Sequence, residues 1–294
     1  MIPPRHLVIS GGGIKVVSIV GALKRLEEGG LLRGLKDVCG VSAGAWLAFM
    51  ISMGLPVQTI EKLVIDLDFS VVRNFVPEAI IGFPETFGLD DGSKLFKFIE
   101  SIMRVVINID PNSTFESLRS NKIRFKCWAT DLATKKMREF SLEKTPTVKI
   151  ITALHASMAI PLYFTPVIDP ITGHMLSDGG IQGSLPINEL TDEEKESCLG
   201  IAFSKTTRVI SNPNDLMEFA DAVFSSTLQT HYENIMRRWN HKIISIPVDD
   251  FQSWNFEAGR DIKLLLLKKG YEATVKHLSS EHPSPIEISR RNSI

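Results

Sequence analysis

The sequence predicts an α/β fold with a central, mainly parallel sheet. An apolar run at 6–10 leads into three glycines, and apolar residues then recur at 16, 17, 19, 20, 23 and 26. This 3.6-residue period indicates a helix, which ends at Gly29-Gly30. Residues 35–39 can form a second strand, which leads into an apolar helix that reaches Met53. Strand, helix, strand and helix at this spacing are typical of parallel strands joined by crossover helices.

The rest of the chain continues this alternation. Residues 56–110 have helical periodicity, apart from a proline- and glycine-rich loop at 76–92 whose large apolar side chains favour contact with lipid. A strand is predicted at 122–132 and a helix at 147–159, which Pro161 ends. The last predicted elements are strands at 198–204 and 242–248 and helices at 215–239 and 256–278.

Length, composition and charge set the class of protein. The chain has 294 residues, of which 44% are hydrophobic and 23% charged, so it can bury a sizeable core. We expect one domain over residues 1–278 and a disordered polar tail at 279–294. The net charge of -1 argues against binding to nucleic acid, since neutralising phosphates requires clustered lysine and arginine.

The amino terminus and the cysteines predict an intracellular protein. Residues 1–10 contain two prolines and only a short apolar run, so they lack the charged and apolar regions of a secretory signal. Cys39, Cys127 and Cys198 are odd in number and far apart, which fits neither a disulfide framework nor a paired cysteine metal site. We therefore expect a reducing compartment and no export.

The segment Gly40-Val41-Ser42-Ala43-Gly44 is the first candidate for chemistry. Gly-x-Ser-x-Gly is typical of a sharp strand-to-helix turn, where side chains at the glycines would collide with neighbouring backbone. The turn projects the serine at a helix amino terminus, where free amides and the helix dipole stabilise negative charge. Because the motif follows a predicted strand and precedes an apolar helix, Ser42 is the predicted nucleophile.

The same segment has a second interpretation as a membrane span. Residues 38–60 contain no charged side chain, and Gly40 and Gly44 have the small-xxx-small spacing of paired membrane helices. Gly54 and Pro56, however, break the apolar run well before the ~20 residues that a span requires. We therefore expect a buried core helix and no transmembrane segment.

The glycine run Gly11-Gly12-Gly13, with Lys15, has three possible roles. A dinucleotide site would need a small residue at position 16, where the sequence has valine, and a GxxxxGK[ST] phosphate loop is absent. An oxyanion hole fits the run, because the amides of Gly12 and Gly13 have no Cβ to shield them and Lys15 adds positive potential. A tight turn without chemistry remains open.

Asp178, before Gly179-Gly180, is the candidate general base. A short carboxylate on a glycine turn after an apparent strand near Met175 can take the proton from a serine. A plain Asp-Gly turn is the alternative. Together, a nucleophile, an amide-rich loop and a base are the groups that acyl transfer needs.

On these motifs, the sequence resembles the patatin-like phospholipase family. Gly11–Lys15 looks like its oxyanion-hole loop, Gly40–Gly44 like its elbow and Asp178–Gly180 like its catalytic aspartate motif. Residues 129–132 and 155–167 also look like family segments, the second with the pattern Ser-x-x-x-Pro-x-x-Phe-x-Pro. The resemblance covers residues 5–190.

The resemblance implies a three-layer α/β/α fold and a Ser42–Asp178 dyad without histidine. Ser42 would attack a fatty acyl ester of a phospholipid or other glycerolipid, and Asp178 would take its proton. The reaction would pass through an acyl-enzyme without metal or cofactor, with Lys15 supporting phosphate or charge. A cytoplasmic protein with peripheral membrane association is implied, and the need for a protein activator stays open.

Three residues depart from the family pattern: Ser10 replaces the usual aspartate, Val16 a glycine and Ser184 an asparagine. They lie beside the dyad rather than in it, so we expect them to affect rate and substrate preference.

Two alternatives to the dyad enzyme stay open. One is an α/β-hydrolase with a Ser-Asp-His triad, for which downstream histidines are available at positions 231, 241 and 277. The other is a catalytically silent member that binds lipid or a protein partner through the same pocket.

Overall fold

In a computed structural model of the chain, the described residues are 2–74, 79–204, 216–248, 251 and 258–281. They form ten strands: β1 (His6–Ile9), β2 (Asp37–Val41), β3 (Gly88–Asp90), β4 (Arg124–Asp131), β5 (Lys136–Ser141), β6 (Leu162–Phe164), β7 (Val167–Ile168), β8 (Met175–Asp178), β9 (Cys198–Phe203) and β10 (Ile243–Ile246).

The same residues form nine α-helices: α1 (Val16–Glu28), α2 (Ala43–Ser52), α3 (Val57–Asp66), α4 (Ala79–Thr86), α5 (Ser93–Ile102), α6 (Ile150–Met158), α7 (Asp192–Glu196), α8 (Leu216–Trp239) and α9 (Arg260–Glu281). Short 3-10 turns lie between some of them, and a π-helical turn, Met103–Ile107, follows α5.

The central sheet has eight strands in the order β10-β9-β1-β2-β4-β8-β7, with β5 paired to β4. Five neighbouring strands, from β10 to β4, are parallel, while β5, β7 and β8 pair antiparallel. Strand β1 is central, and all four of its residues are buried, as expected for a parallel strand covered on both faces. The predicted α/β fold with a mainly parallel sheet is confirmed.

Helix α2 is part of the hydrophobic core. Leu47, Ala48 and Phe49 are completely buried, and Phe49 contacts Phe125 of β4 edge to face. This burial explains why the segment has almost no polar face: the helix is surrounded by protein rather than lipid. Among the described helices, none is both long enough and apolar enough to cross a membrane.

The chain beyond the motifs completes the same sheet. Strands β9 and β10 extend it past β1, and α9 packs along α1. Tyr271 of α9 donates a 2.7 Å hydrogen bond to Glu28, and Lys263 donates to the carbonyl oxygens of Ile65 and Leu67 at the end of α3. Residues after 190 therefore share the sheet and core with the motif region.

The prediction of a loop at 76–92 is wrong over most of this range. Residues 79–86 form α4 and residues 88–90 form β3, which pairs with β6. Pro84 lies inside this helix and has no N–H to donate to the Ile80 carbonyl oxygen, so α4 lacks one of its backbone hydrogen bonds. Residues 75–78 and 282–294, which include most of the predicted disordered tail, lie outside the described residues.

Candidate active site

Ser42 occupies a sharp turn between β2 and α2. Its backbone has φ 55° and ψ -136°, a strained conformation for a residue with a side chain. A Cβ at Gly40 would come within 2.5 Å of the Gly44 carbonyl oxygen, and a Cβ at Gly44 would overlap the carbonyl oxygen of Ser10. Both glycines of the Gly-x-Ser-x-Gly segment are therefore required for the close approach of strand and helix.

Ser157 of α6 holds this turn in place. The backbone N–H of Ser42 donates to the Ser157 hydroxyl at 2.9 Å, and that hydroxyl donates to the Trp128 carbonyl oxygen at 2.7 Å. Sequence reasoning assigned no role to Ser157, although it lies in the segment at 155–167 that resembles the family. The signal was the serine that begins the Ser-x-x-x-Pro pattern.

The register of three strands brings Asp178 to the level of Ser42. Strand β5 occupies one edge of β4 over residues 126–131, so β2 and β8 share the other edge end to end. Val41 pairs there with Trp128, and Asp178 pairs with the next residue of β4, Ala129. Ser42, which follows Val41, therefore lies next to Asp178, where the carboxyl ends of β2 and β8 meet. A Cβ at Gly179 would come within 2.9 Å of the Val41 side chain, which shows how close these two strand ends are.

Asp178 is buried beside Ser42. It is 1% exposed, and burial raises the pKa of its carboxyl group to about 7, against the lowering effects of the Ser42 hydroxyl and the Gly180 N–H. Gly180 donates to Oδ1 at 2.7 Å, while Oδ2 makes no well-aligned hydrogen bond to any described residue. The Ser42 hydroxyl is thus a close neighbour of the carboxyl group but not an aligned donor.

The glycine loop after β1 borders Ser42. The N–H of Gly11 already donates to the Ser184 carbonyl oxygen at 3.0 Å, so this amide is not available to an oxyanion. A Cβ at Gly11 would lie 2.9 Å from the Cβ of Ser42, so the glycine makes room for the serine side chain. The amides of Gly12 and Gly13 donate to no described residue, and Gly13 has φ 55°.

Two of the departures from the family pattern have visible contacts here. Ser10 is buried, and its hydroxyl donates to the Gly11 carbonyl oxygen at 2.9 Å, a contact within the loop. Val16 lines the pocket beside Ser42. Lys15 is half-buried in the short turn Gly13–Lys15 and is not among the residues that line this pocket, so its predicted contact with phosphate stays a prediction.

An apolar cavity of about 90 Å³ adjoins Ser42. Its lining includes Gly13, Ala43, Trp46, Leu47, Val64, Leu67, Leu95, Phe98, Ile99, Met158, Ile160, Tyr163 and Phe164. Arg73 is the one charged residue among the described residues of this lining. Ser42 therefore faces a space suited to hydrocarbon, with Arg73 as the single cation in its described lining.

No histidine is present among the described residues of the lining. His231 and His241, both candidates for a triad, have exposed side chains. His155 is buried and stacks on Phe96 with ring centroids 3.9 Å apart, and burial lowers its pKa to about 4. This arrangement favours a dyad over a triad.

One cluster of described residues has the donor set of a metal site. The donor atoms of His6, Asp37 and Glu194 lie within 4.8 Å of one another at the amino ends of the parallel strands. Lys126 is 2.5 Å from Glu194, however, and Arg124 is 2.8 Å from Asp37. These cations neutralise both carboxylates, so the cluster fits an ion-pair network better than a cation site, and we continue to expect no metal.

Comparison with known proteins adds to this geometry. Residues 7–191 match the family model described as Patatin-like phospholipase. Uncharacterized protein R571 of Acanthamoeba polyphaga mimivirus is 30% identical over 201 residues, covering 68% of this chain and 65% of that protein. Uncharacterized protein YqhO of Bacillus subtilis is 27% identical over 286 residues, covering 91% of this chain and 95% of that protein.

A solved structure has a similar fold. It is that of VipD from Legionella pneumophila, with a TM-score of 0.64 at 18% identity, covering 95% of this chain and 67% of that chain. The family match and this shared fold agree with the motifs and the geometry around Ser42. The chain therefore belongs to the patatin-like phospholipase family, whose members are hydrolases that act on lipid substrates.

Proposed function

We propose that the protein is a phospholipase A-type acyl hydrolase that uses Ser42 as nucleophile and Asp178 as general base. One observation carries the proposal: a buried carboxyl group, with its pKa raised to about 7, lies beside a serine on a strained turn. A general base works best when its pKa is near the working pH. The apolar pocket beside Ser42 supports a fatty acyl substrate.

In the proposed mechanism, the Ser42 hydroxyl oxygen attacks the ester carbonyl while Asp178 takes the hydroxyl proton. Collapse of the tetrahedral intermediate breaks the ester bond, and Asp178 returns the proton to the leaving alcohol. Water then attacks the acyl-enzyme by the same route, releasing the fatty acid. The amides of Gly12, Gly13 and Ala43, at the start of α2, are the proposed oxyanion donors, since each such donor is worth about 10² to 10³ in rate.

Arg73 favours a phospholipid over a neutral glycerolipid as substrate. Its side chain is half-buried in the pocket lining. Burial raises the pKa of Tyr163, and Arg73 is close enough to oppose that rise. A guanidinium group at this place can contact a phosphate oxygen while the acyl chain occupies the apolar lining.

Exposed apolar side chains support hydrolysis of lipid at a membrane surface. Val71, Ile80 and Ile81 are 63%, 60% and 84% exposed, and Phe87 is 48% exposed. Phe87 directly precedes β3, whose partner β6 contributes to the pocket lining. Apolar side chains in such a position can enter the head-group region and bring the pocket to its substrate.

The test is release of fatty acid from mixed phospholipid vesicles by the parent protein, Ser42→Ala and Asp178→Asn at matched folding. We expect both variants to lose about 10³-fold or more of the activity. Ser52→Ala is the matched control, because this buried hydroxyl donates only to the Phe49 carbonyl oxygen within its own helix.

Two results would contradict the proposal. Retention of activity in Asp178→Asn together with its loss in His231→Ala would establish a triad instead. Binding of the parent protein to vesicles without any release of fatty acid would indicate a binding protein.

A further inference from the structure

The cavity beside Ser42 is too small for a whole fatty acyl chain. Its volume of about 90 Å³ is less than the roughly 150 Å³ of a cavity that holds one benzene molecule. Ordinary small-molecule sites have about 300 to 1,000 Å³. A short acyl group therefore fits as the pocket stands, and a long chain needs further space.

A second space of about 560 Å³ adjoins this pocket. Four of its lining residues, Leu63, Val71, Ile102 and Val106, are apolar, and four others, Thr59, Lys62, Asp66 and Asp68, are polar or charged. We call this space the outer groove. A lining that combines apolar and polar side chains suits a hydrocarbon chain that lies along a protein surface.

Only two described residues line both the Ser42 pocket and the outer groove: Leu67 and Phe98. Leu67 follows α3, and its carbonyl oxygen accepts a hydrogen bond from the buried Lys263, which holds the backbone in place. Phe98 is a half-buried side chain on α5. These two side chains thus form a partition between the two spaces, and Phe98 is the one whose displacement needs no backbone change.

Part of the groove lining has an irregular backbone. Val106 belongs to the π-helical turn Met103–Ile107, which continues α5 and ends at Asn108 with φ 61°. Turns of this kind inside helices are rare and frequently occur at functional sites. Val106 of this turn lines the outer groove.

We propose that the outer groove binds the distal part of a long acyl chain whose ester lies at Ser42, and that Phe98 and Leu67 determine how readily such chains enter. This inference rests on the proposed function, since it assumes an acyl substrate at Ser42. With the partition in place, methylenes beyond the first few stay unburied. Once the partition is opened, each buried methylene contributes about 0.8 kcal/mol, so two of them are worth about tenfold.

The test compares hydrolysis of p-nitrophenyl butyrate and p-nitrophenyl palmitate, the latter in mixed micelles. For Phe98→Ala we expect the ratio of kcat/KM, palmitate over butyrate, to rise about tenfold or more above that of the parent. Leu67→Ala opens the same partition from the other side and should raise the ratio in the same direction. It serves as the second variant if Phe98→Ala does not fold.

Lys97→Ala is the matched control, since Lys97 is the exposed neighbour of Phe98 on α5 and lines neither space. It leaves the pocket, the groove and the partition unchanged, so the ratio should stay within about twofold of the parent. One contrary result is butyrate hydrolysis that depends on Ser42, with a ratio that stays unchanged in both Phe98→Ala and Leu67→Ala. That result would contradict the role of the partition and leave the proposed function intact. If neither ester were hydrolysed above the rate of Ser42→Ala, the proposed function itself would fail, and this inference with it.

Discussion

The hydroxyl of Ser157 accepts a 2.9 Å hydrogen bond from the backbone amide of Ser42. Ser42 directly precedes α2, where a backbone amide has no acceptor within the helix, and because this amide is buried it needs another partner. Ser157 supplies that partner and is itself held by the Trp128 carbonyl oxygen. A residue outside the three sequence motifs thus stabilises the strained turn that presents Ser42.

Replacing Ser157 with alanine should lower kcat more than it raises KM. The change leaves the buried Ser42 amide without its partner, at a cost of about 1 to 3 kcal/mol, and lets the turn relax. We expect a kcat about 10- to 100-fold lower on a soluble ester, with Ser52→Ala as the control that stays near the parent value. An equal loss in both variants would show that a general loss of packing, not the turn, is responsible.

The activity should depend on pH through Asp178. Its pKa is raised to about 7 by burial, and only the ionised carboxylate can accept the proton of Ser42. We expect kcat/KM on a soluble ester to rise tenfold per pH unit below about pH 7 and to level off above it. A flat profile between about pH 5 and about pH 8 would contradict this role for Asp178.

The same pKa predicts how Asp178→Asn changes stability. A folded-state pKa raised from 3.8 means that this group stabilises the fold fully below about pH 3.8 and that the contribution is lost as pH rises through about 7. Asparagine does not titrate. The free energy of unfolding of Asp178→Asn, relative to the parent, should therefore rise by about 2.5 kcal/mol between about pH 5 and about pH 8. Urea titrations at the two pH values measure it, and a difference that falls with pH would disprove the assignment.

Polar substitution on α4 should impair action on membranes. In Ile80→Ser/Ile81→Ser, two highly exposed apolar side chains are replaced by polar ones. Each replacement removes about 1.5 to 3 kcal/mol of the free energy gained when an isoleucine side chain is buried in lipid. We expect hydrolysis of vesicle phospholipid to fall about tenfold or more, while hydrolysis of a soluble short-chain ester stays near the parent value. Ile171→Ser, another exposed isoleucine outside the pocket lining, is the control. Equal losses on both substrates would rule out a membrane role for α4.

Much of the fold could be predicted because it depends on local patterns. The buried strand at 6–9, the amphipathic helix α1 and the apolar helix α2 each follow from the spacing of apolar residues and from glycines at their ends. Short elements were missed where the pattern was weak: β3 has three residues and β7 has two. The prediction of a loop at 76–92 was wrong because its prolines and glycines indicate a loop, whereas a helix of only eight residues shows little periodicity.

The sequence by itself determined the chemical groups and their local setting. The Gly-x-Ser-x-Gly spacing predicts a turn at Ser42, since only glycines fit between the closely approaching strand and helix, and the Asp-Gly-Gly turn identifies Asp178. Local sterics are encoded within a few residues, so a short motif is enough to predict them.

Only the tertiary structure decided which groups meet. Ser42 and Asp178 are far apart in the chain, and the register of β2, β4 and β8 brings them to one level. The raised pKa of Asp178 and the partition at Leu67 and Phe98 likewise arise from burial by distant segments. Desolvation and cavity shape depend on everything that surrounds a group in space, which a linear pattern does not contain.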